Sequence, residues 1–146
     1  MKKIARITFL IMIMVNVHGS SVSDFSLPIY KSKEIFNLKQ KLSKHSKVVI
    51  NFWASWCTSC IEELPLLEKL KSEYQKDNVL FVAINAGESR KKIKRFLKKR
   101  GFSYLILEDK DRVISKKLGV TELPKTFVIE KNQNISFKGN RPPKSL

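Results

Sequence analysis

Apolar residues occur along this chain in short runs of two kinds, and their order predicts the fold class. Runs of branched and aromatic residues without regular polar interruption indicate buried strands. Runs with an apolar residue at every third or fourth position indicate helices. The predicted strands are 24–27, 48–52, 79–84, 104–107, 126–129 and 135–137, and the predicted helices are 33–42, 57–75, 89–100 and 111–118. This alternation predicts an α/β domain.

The stretch from Val48 to Ile84 predicts a strand, a helix and a second strand in succession. Such a unit places its two strands parallel, with a right-handed crossover through the helix. The last two runs flank residues 131–134 at the spacing of a hairpin, so antiparallel strands are expected to complete a mixed sheet. The C-x-x-C motif of Cys57 and Cys60 follows the first strand. It therefore lies at the carboxyl end of a parallel strand, where open α/β sheets place their functional sites.

Cys57 and Cys60 are the only cysteines among the 146 residues, and their spacing favours dithiol chemistry. Two cysteines cannot form a disulfide framework or complete a four-ligand zinc site. At the start of a helix, unpaired N–H groups and the helix dipole lower the pKa of Cys57. We therefore expect Cys57 to attack a disulfide and the more shielded Cys60 to resolve the mixed disulfide. The alternatives are a static disulfide or half of an intermolecular metal site.

The chain carries 29 Lys plus Arg against 13 Asp plus Glu, a formal net charge of +16. Much of this charge falls between Arg90 and Arg100, on a predicted helix whose apolar residues occupy the other side. Most of the basic residues are lysines, which disfavours the forked phosphate recognition of nucleic-acid-binding proteins. We expect no nucleic-acid partner. Contact with an anionic membrane surface is the functional alternative to a solvated helix face.

The N-terminal residues predict export. Three basic residues precede an apolar run at 7–17, and small residues follow it, as in a secretory signal. The run is shorter than the roughly 20 residues of a bilayer-spanning helix. Residues 1–20 are therefore predicted to be a signal peptide or a retained signal anchor, and 24–146 a single domain. Export predicts the periplasm or the outer face of the cytoplasmic membrane, where disulfides form and persist.

Three segments carry a resemblance to a known family: N-F-W-A-S-W-C-T-S-C-I-E-E-L-P, V-A-I-N-A-G-E-S and G-V-T-E-L-P-K-T-F-V-I-E. From about Asp24 to Gly139 the chain resembles the thioredoxin superfamily, in particular its exported TlpA/ResA-like branch of thiol-disulfide oxidoreductases. The resemblance implies a thioredoxin-like fold, with a mixed central sheet flanked by helices. It also implies a reductant of protein disulfides, such as the haem-attachment cysteines of apocytochrome c. A membrane thiol carrier would supply the electrons, without a cofactor or metal.

The resemblance also assigns residues around the dithiol. Cys57 and Cys60 fall on the family's redox pair, and Trp56 falls on the aromatic residue beside it, at the substrate-binding surface. Glu63 falls on a glutamate that tunes the protonation of the thiols. A carboxylate near two thiols disfavours a second negative charge and can relay a proton. The alternative for Glu63 is an ordinary solvated position on the helix.

The L-P-K-T-F segment implies the substrate-binding edge of the site. Pro124 falls on the cis-proline that faces the dithiol, and an X-Pro bond tolerates the cis form. Leu123, just before it, would offer backbone groups to an extended substrate peptide. The alternative is a trans proline in an ordinary turn. Glu88, in the G-E-S segment, also matches the branch, but a role as a cap or turn residue is the favoured alternative.

The chain departs from its relatives at its C-terminal end. Members of this branch usually finish with a helix over one face of the sheet, but residues 140–146 contain Pro142 and Pro143. Seven residues with two prolines will not form that helix, so we expect it to be missing. Either a sheet face is exposed to a partner or a second copy, or the domain is less stable.

Two other functions stay open at this point. A DsbA-like oxidant uses the same exchange chemistry in the opposite direction. A non-enzymatic, basic interaction module would keep the dithiol only as a structural element. Thr58 and Ser59, between the cysteines, carry no charge and give little basis for fixing a redox potential.

Overall fold

The computed structural model describes residues 20–146, so the export signal predicted at 1–20 lies, apart from Ser20, outside the described residues. The strands are β1 (Ser26–Pro28), β2 (Ile35–Asn37), β3 (Lys47–Trp53), β4 (Val79–Ala86), β5 (Leu105–Asp109), β6 (Lys125–Glu130) and β7 (Ile135–Gly139). The helices are α1 (Leu38–Lys44), α2 (Thr58–Glu73), α3 (Arg90–Leu97) and α4 (Val113–Lys117). Within 20–146, none of these helices has the length and apolar character needed to cross a membrane.

Five strands form the central sheet in the order β5-β4-β3-β6-β7. β3 pairs parallel with β4, and β4 pairs parallel with β5. β6 pairs antiparallel with β3, and β7 pairs antiparallel with β6. The mixed sheet, the crossover through α2 and the final hairpin are therefore confirmed.

The core lies on both faces of this sheet because β3 is apolar on both sides. Val48, Ile50 and Phe52 belong to one cluster, which is covered by β1, β2, α1 and α4. Val49 and Trp53 belong to the other cluster, which is covered by α2 and α3. A central strand with both faces buried explains the unbroken apolar run in its sequence. The sheet is flanked by helices, as predicted.

The helix predicted at 33–42 is wrong in its first part. Ile35–Asn37 form β2, which pairs antiparallel with β1. Ile35, which the helical spacing placed on the buried side, is 57% exposed. The Asn37 side chain accepts a hydrogen bond from the N–H of Gln40 at 2.8 Å, so it caps a helix that begins at Leu38. The capping residue is extended, and it and the two residues before it pair with β1.

Residues 140–146 follow β7 and contain no helix, as expected. They lie along α2 instead. The N–H of Leu146 donates to the hydroxyl of Tyr74 at 3.0 Å, and the Leu146 side chain packs against the cluster under α2 and α3. Pro142 and Pro143 line a groove with Leu66 of α2. The final segment thus covers α2, and its effect on stability stays a prediction.

Candidate active site

The two cysteines lie at the start of α2, joined as a disulfide with Cα atoms 5.3 Å apart. β3 ends at Trp53, and a turn closed by the hydrogen bond from the N–H of Cys57 to the carbonyl of Ala54 leads into the helix. Cys57 is the N-cap, and its Sγ accepts a hydrogen bond from the N–H of Cys60 at 3.2 Å. The same N–H and the positive end of the helix dipole would stabilise a thiolate on Cys57 after reduction.

Burial does not distinguish the two cysteines. Cys57 is 4% exposed and Cys60 is 3% exposed in the disulfide form. Their positions do distinguish them, because Cys57 caps the helix and Cys60 lies inside its first turn. The predicted roles of attacking and resolving thiol therefore rest on position along the helix, and they stay predictions.

Trp56 and the Leu123–Pro124 pair lie on two different segments, before α2 and before β6. Trp56 directly precedes Cys57 and is 68% exposed, so its ring is available to another molecule. The Leu123–Pro124 peptide bond is cis, and Pro124 is buried immediately before β6. Leu123 is half-buried and packs against the apolar cluster that contains both cysteines. The predicted contact of this loop with a substrate peptide stays a prediction.

Glu63 is buried, with 6% of its surface exposed, so the alternative of a solvated helix position is wrong. It follows Cys60 by one helical turn and lies on the same side of α2. Burial raises the pKa of Glu63 to about 7, and the positive charge of Arg141 opposes part of this shift. Glu63 lines a small cavity with Ser59, Leu66 and Arg141. Its Oε2 has no hydrogen-bond partner within residues 20–146.

Glu88 holds the turn that leads to the dithiol. Its carboxylate accepts hydrogen bonds from the N–H and the hydroxyl of Ser55, at 2.7 and 2.5 Å, and from the side-chain amide of Asn85 at 2.8 Å. The N–H of Glu88 donates to Asn85 Oδ1 at 3.2 Å. These bonds agree with the favoured expectation that Glu88 is a turn residue. The sequence does not predict Ser55 and Asn85 as its partners. Their signal in the sequence is that each lies near the carboxyl end of one of two neighbouring parallel strands.

Arg141 is a further neighbour of the site that the sequence did not single out. It reaches Glu63 because residues 140–146 fold back along α2, and no local pattern in the sequence predicts that path. Among the described residues, no three His, Cys, Asp or Glu side chains cluster as metal ligands would.

Comparison with known proteins places this arrangement in a family. The model of the Redoxin family matches residues 18–145. The chain belongs to the Redoxin family. Among curated Redoxin relatives, the thiol-disulfide oxidoreductase ResA of Geobacillus thermodenitrificans is 32% identical over 119 residues. ResA of Bacillus subtilis is 33% identical over 113 residues. The resemblance to the ResA-like branch is confirmed.

Each alignment covers a larger share of this chain than of the relative. The aligned part is 80% of this chain and 66% of the Geobacillus protein. For the Bacillus subtilis protein it is 76% of this chain and 60% of the relative. A solved structure of a thiol-disulfide oxidoreductase from Bacteroides fragilis superposes with a TM-score of 0.75 at 24% identity, covering 87% of this chain and 94% of that one. The thioredoxin-like fold is therefore confirmed.

Proposed function

We propose that this Redoxin family member is a thiol-disulfide oxidoreductase that works through the Cys57–Cys60 dithiol. The observation that carries the proposal is the position of Cys57, at the N-cap of α2, where its Sγ accepts the N–H of Cys60 at 3.2 Å. A sulfur in this position is favoured as a thiolate, and the thiolate is the form that attacks a disulfide. The names of the two ResA relatives, thiol-disulfide oxidoreductases, support the same chemistry.

In the proposed reaction, the Cys57 thiolate attacks one sulfur of a substrate disulfide. A mixed disulfide forms, and the other substrate sulfur leaves as a thiolate and takes up a proton. Cys60 then loses its proton, attacks the Cys57 sulfur and releases the second substrate thiolate, which is also protonated. The substrate gains two electrons and the dithiol loses two, ending as the disulfide present in the structure.

Glu63 is proposed to handle the proton of Cys60. Its pKa, raised to about 7 by burial, lies nearer to that of a thiol than the pKa of a solvated carboxylate does. A base of this kind can take a proton near neutral pH and return it in the next cycle. Arg141 lines the same small cavity, and its positive charge compensates part of the negative charge on Glu63.

The direction of exchange and the place of action belong to the same proposal. We propose an exported reductant of protein disulfides, with the cysteines of apocytochrome c as one substrate class and a membrane thiol carrier as electron donor. The ResA-like resemblance and the signal pattern at 1–20 support this choice. The proposed organisation is a signal peptide or anchor at 1–20 followed by one domain at 24–146. Contact of α3 with an anionic membrane surface stays a prediction.

Reduction of insulin by the wild-type protein and by Cys57→Ser and Cys60→Ser variants tests the activity. We expect turnover in the wild type, none in either variant, and a stable mixed disulfide in Cys60→Ser, because the resolving thiol is missing. Turnover by Cys57→Ser equal to that of the wild type would instead support the basic interaction module with a structural dithiol.

The equilibrium potential of the dithiol against glutathione tests the direction. A reductant is expected to fall near or below about −220 mV, the range of glutaredoxins and thioredoxin. A value near about −120 mV, which is typical of DsbA, would assign this protein to the oxidants.

A further inference from the structure

We propose that a groove beside the dithiol binds an acidic segment of the substrate protein, the molecule whose disulfide reacts with Cys57. This basic groove has a volume of about 330 Å³ and is lined by Trp56, Lys92, Arg95, Phe96 and Lys99, together with Ser55 and Glu88. The inference rests on the proposed function, because it concerns the substrate of the same dithiol.

The positive charge of the basic groove comes from one side of α3 and its C-terminal continuation. Lys92, Arg95 and Lys99 are separated by three and four positions, so a helix places them together. All three are exposed, and none of them pairs with a carboxylate in the part of the chain that the structure describes. The carboxylate of Glu88 is buried and already bonded to Ser55 and Asn85, so the cations outnumber the acidic group.

The shape and position of the basic groove favour a chain segment as its occupant. Trp56 forms one wall, and the next residue is Cys57, so a bound segment lies within a few residues of the reacting sulfur. Trp56 and Phe96 add aromatic surface that a peptide can cover, and the cations can pair with its carboxylates. An anionic membrane is a broad surface. It would contact the basic residues of α3 outside the groove at least as readily as the three basic residues inside it.

The test uses two synthetic peptides with the same internal disulfide, one flanked by Asp and Glu and the other by Asn and Gln. Pre-reduced protein is mixed with each peptide at low salt, and the second-order rate constant of peptide reduction is measured. We expect the acidic peptide to react about five to ten times faster, as three solvent-screened charge contacts would give. High salt should reduce this ratio towards one.

Two matched triple variants separate the basic groove from the general charge of α3. The groove variant is Lys92→Gln, Arg95→Gln and Lys99→Gln. The control is Lys91→Gln, Lys94→Gln and Lys98→Gln, which removes the same charge from exposed positions of α3 and its C-cap outside the groove. We expect the groove variant to lose the preference for the acidic peptide and the control to retain it. Equal losses in both would overturn the proposal in favour of long-range attraction.

Binding without chemistry distinguishes failure of the inference from failure of the proposed function. A fluorescent acidic peptide with serines in place of its cysteines is titrated by anisotropy against the wild type and both triple variants. Binding weakened only in the groove variant supports the basic groove, even if no peptide is ever reduced and the proposed function fails. Absence of any preference for the acidic over the neutral peptide overturns it. Binding of phosphatidylglycerol vesicles in place of the peptide, lost in the groove variant, would assign the surface to the membrane and also overturn it.

Discussion

Replacement of Glu63 by glutamine is expected to change how the stability of the folded protein depends on pH. Burial raises the pKa of Glu63 from 4.5 to about 7 in the folded state, with the positive charge of Arg141 opposing part of the shift. The unfolded chain therefore releases this proton at lower pH than the folded chain does. Between pH 4.5 and about 7 the folded state binds more protons, so its stability falls as the pH rises. The glutamine side chain of the variant does not titrate, so this fall would be absent.

The size of the effect follows from the shift. Each unit of pKa difference corresponds to about 1.4 kcal/mol, so a shift from 4.5 to about 7 sets an upper limit of about 3.4 kcal/mol. Glu63 borders a small cavity that opens to solvent, and relaxation around it reduces the effect. We therefore expect the wild type to lose about 1–3 kcal/mol relative to the Glu63→Gln variant between the two ends of this pH range.

Urea unfolding of both proteins in the disulfide form measures this difference, because the cysteines then do not titrate. The free energies of unfolding are compared below pH 4.5 and above pH 7. Contributions from all other carboxylates cancel in the difference between the two proteins. Parallel pH profiles would refute the argument, because they would mean that Glu63 ionises as a solvated carboxylate does.

Three further substitutions test the surroundings of the dithiol. Glu88→Ala removes the acceptor that holds the turn before α2. We expect the free energy of unfolding in urea to fall by about 2–3 kcal/mol and thiol-disulfide exchange to slow. The control, Glu62→Ala at an exposed position of α2, should change stability by no more than about 0.5 kcal/mol. Equal effects of these two variants would argue against the turn role. Arg141→Gln removes the positive charge that opposes the pKa shift of Glu63, so the pKa of Glu63 measured by NMR should rise further. An unchanged pKa would mean that Arg141 does not act on Glu63. Leu67→Ala truncates a fully buried side chain on the inner face of α2 and should destabilise the fold by about 2–5 kcal/mol. A loss below about 1 kcal/mol would contradict that packing.

Much of the fold could be predicted because the central strands are apolar on both faces. The runs that form β3 and β4 are short and rich in branched residues, which favours buried strands over helices. The segment from 33 to 42 could not be predicted as well, because Ile35, Leu38 and Leu42 fit helical spacing by chance. The cap at Asn37 depends on Asp24, which lies 13 residues earlier in the sequence. The side-chain amide of Asn37 donates a hydrogen bond to the Asp24 carboxylate at 2.8 Å.

The same limit applies to the candidate site. The dithiol was evident from spacing alone, since two cysteines at the end of a buried strand specify their own location. The burial of Glu63 could not be predicted in this way. Glu62 and Glu63 are adjacent in α2, and only the packed structure shows that Glu63 is the buried one. The neighbourhood of Arg141 and the basic groove depends on how α3 and the final segment lie against α2 and the turn before it. Such contacts join residues far apart in sequence and leave no local pattern.

The proposed function depends on Cys57 being an acidic, attacking thiol because it caps α2. The most direct test is the pH dependence of iodoacetamide alkylation in reduced Cys60→Ser and Cys57→Ser variants, which isolates each thiol in turn. We expect Cys57 to react with an apparent pKa at least about one unit below the value of about 8.5 for a free cysteine, and Cys60 to react far more slowly at neutral pH. Equal rates at both positions, each with a pKa near that of the free thiol, would contradict it.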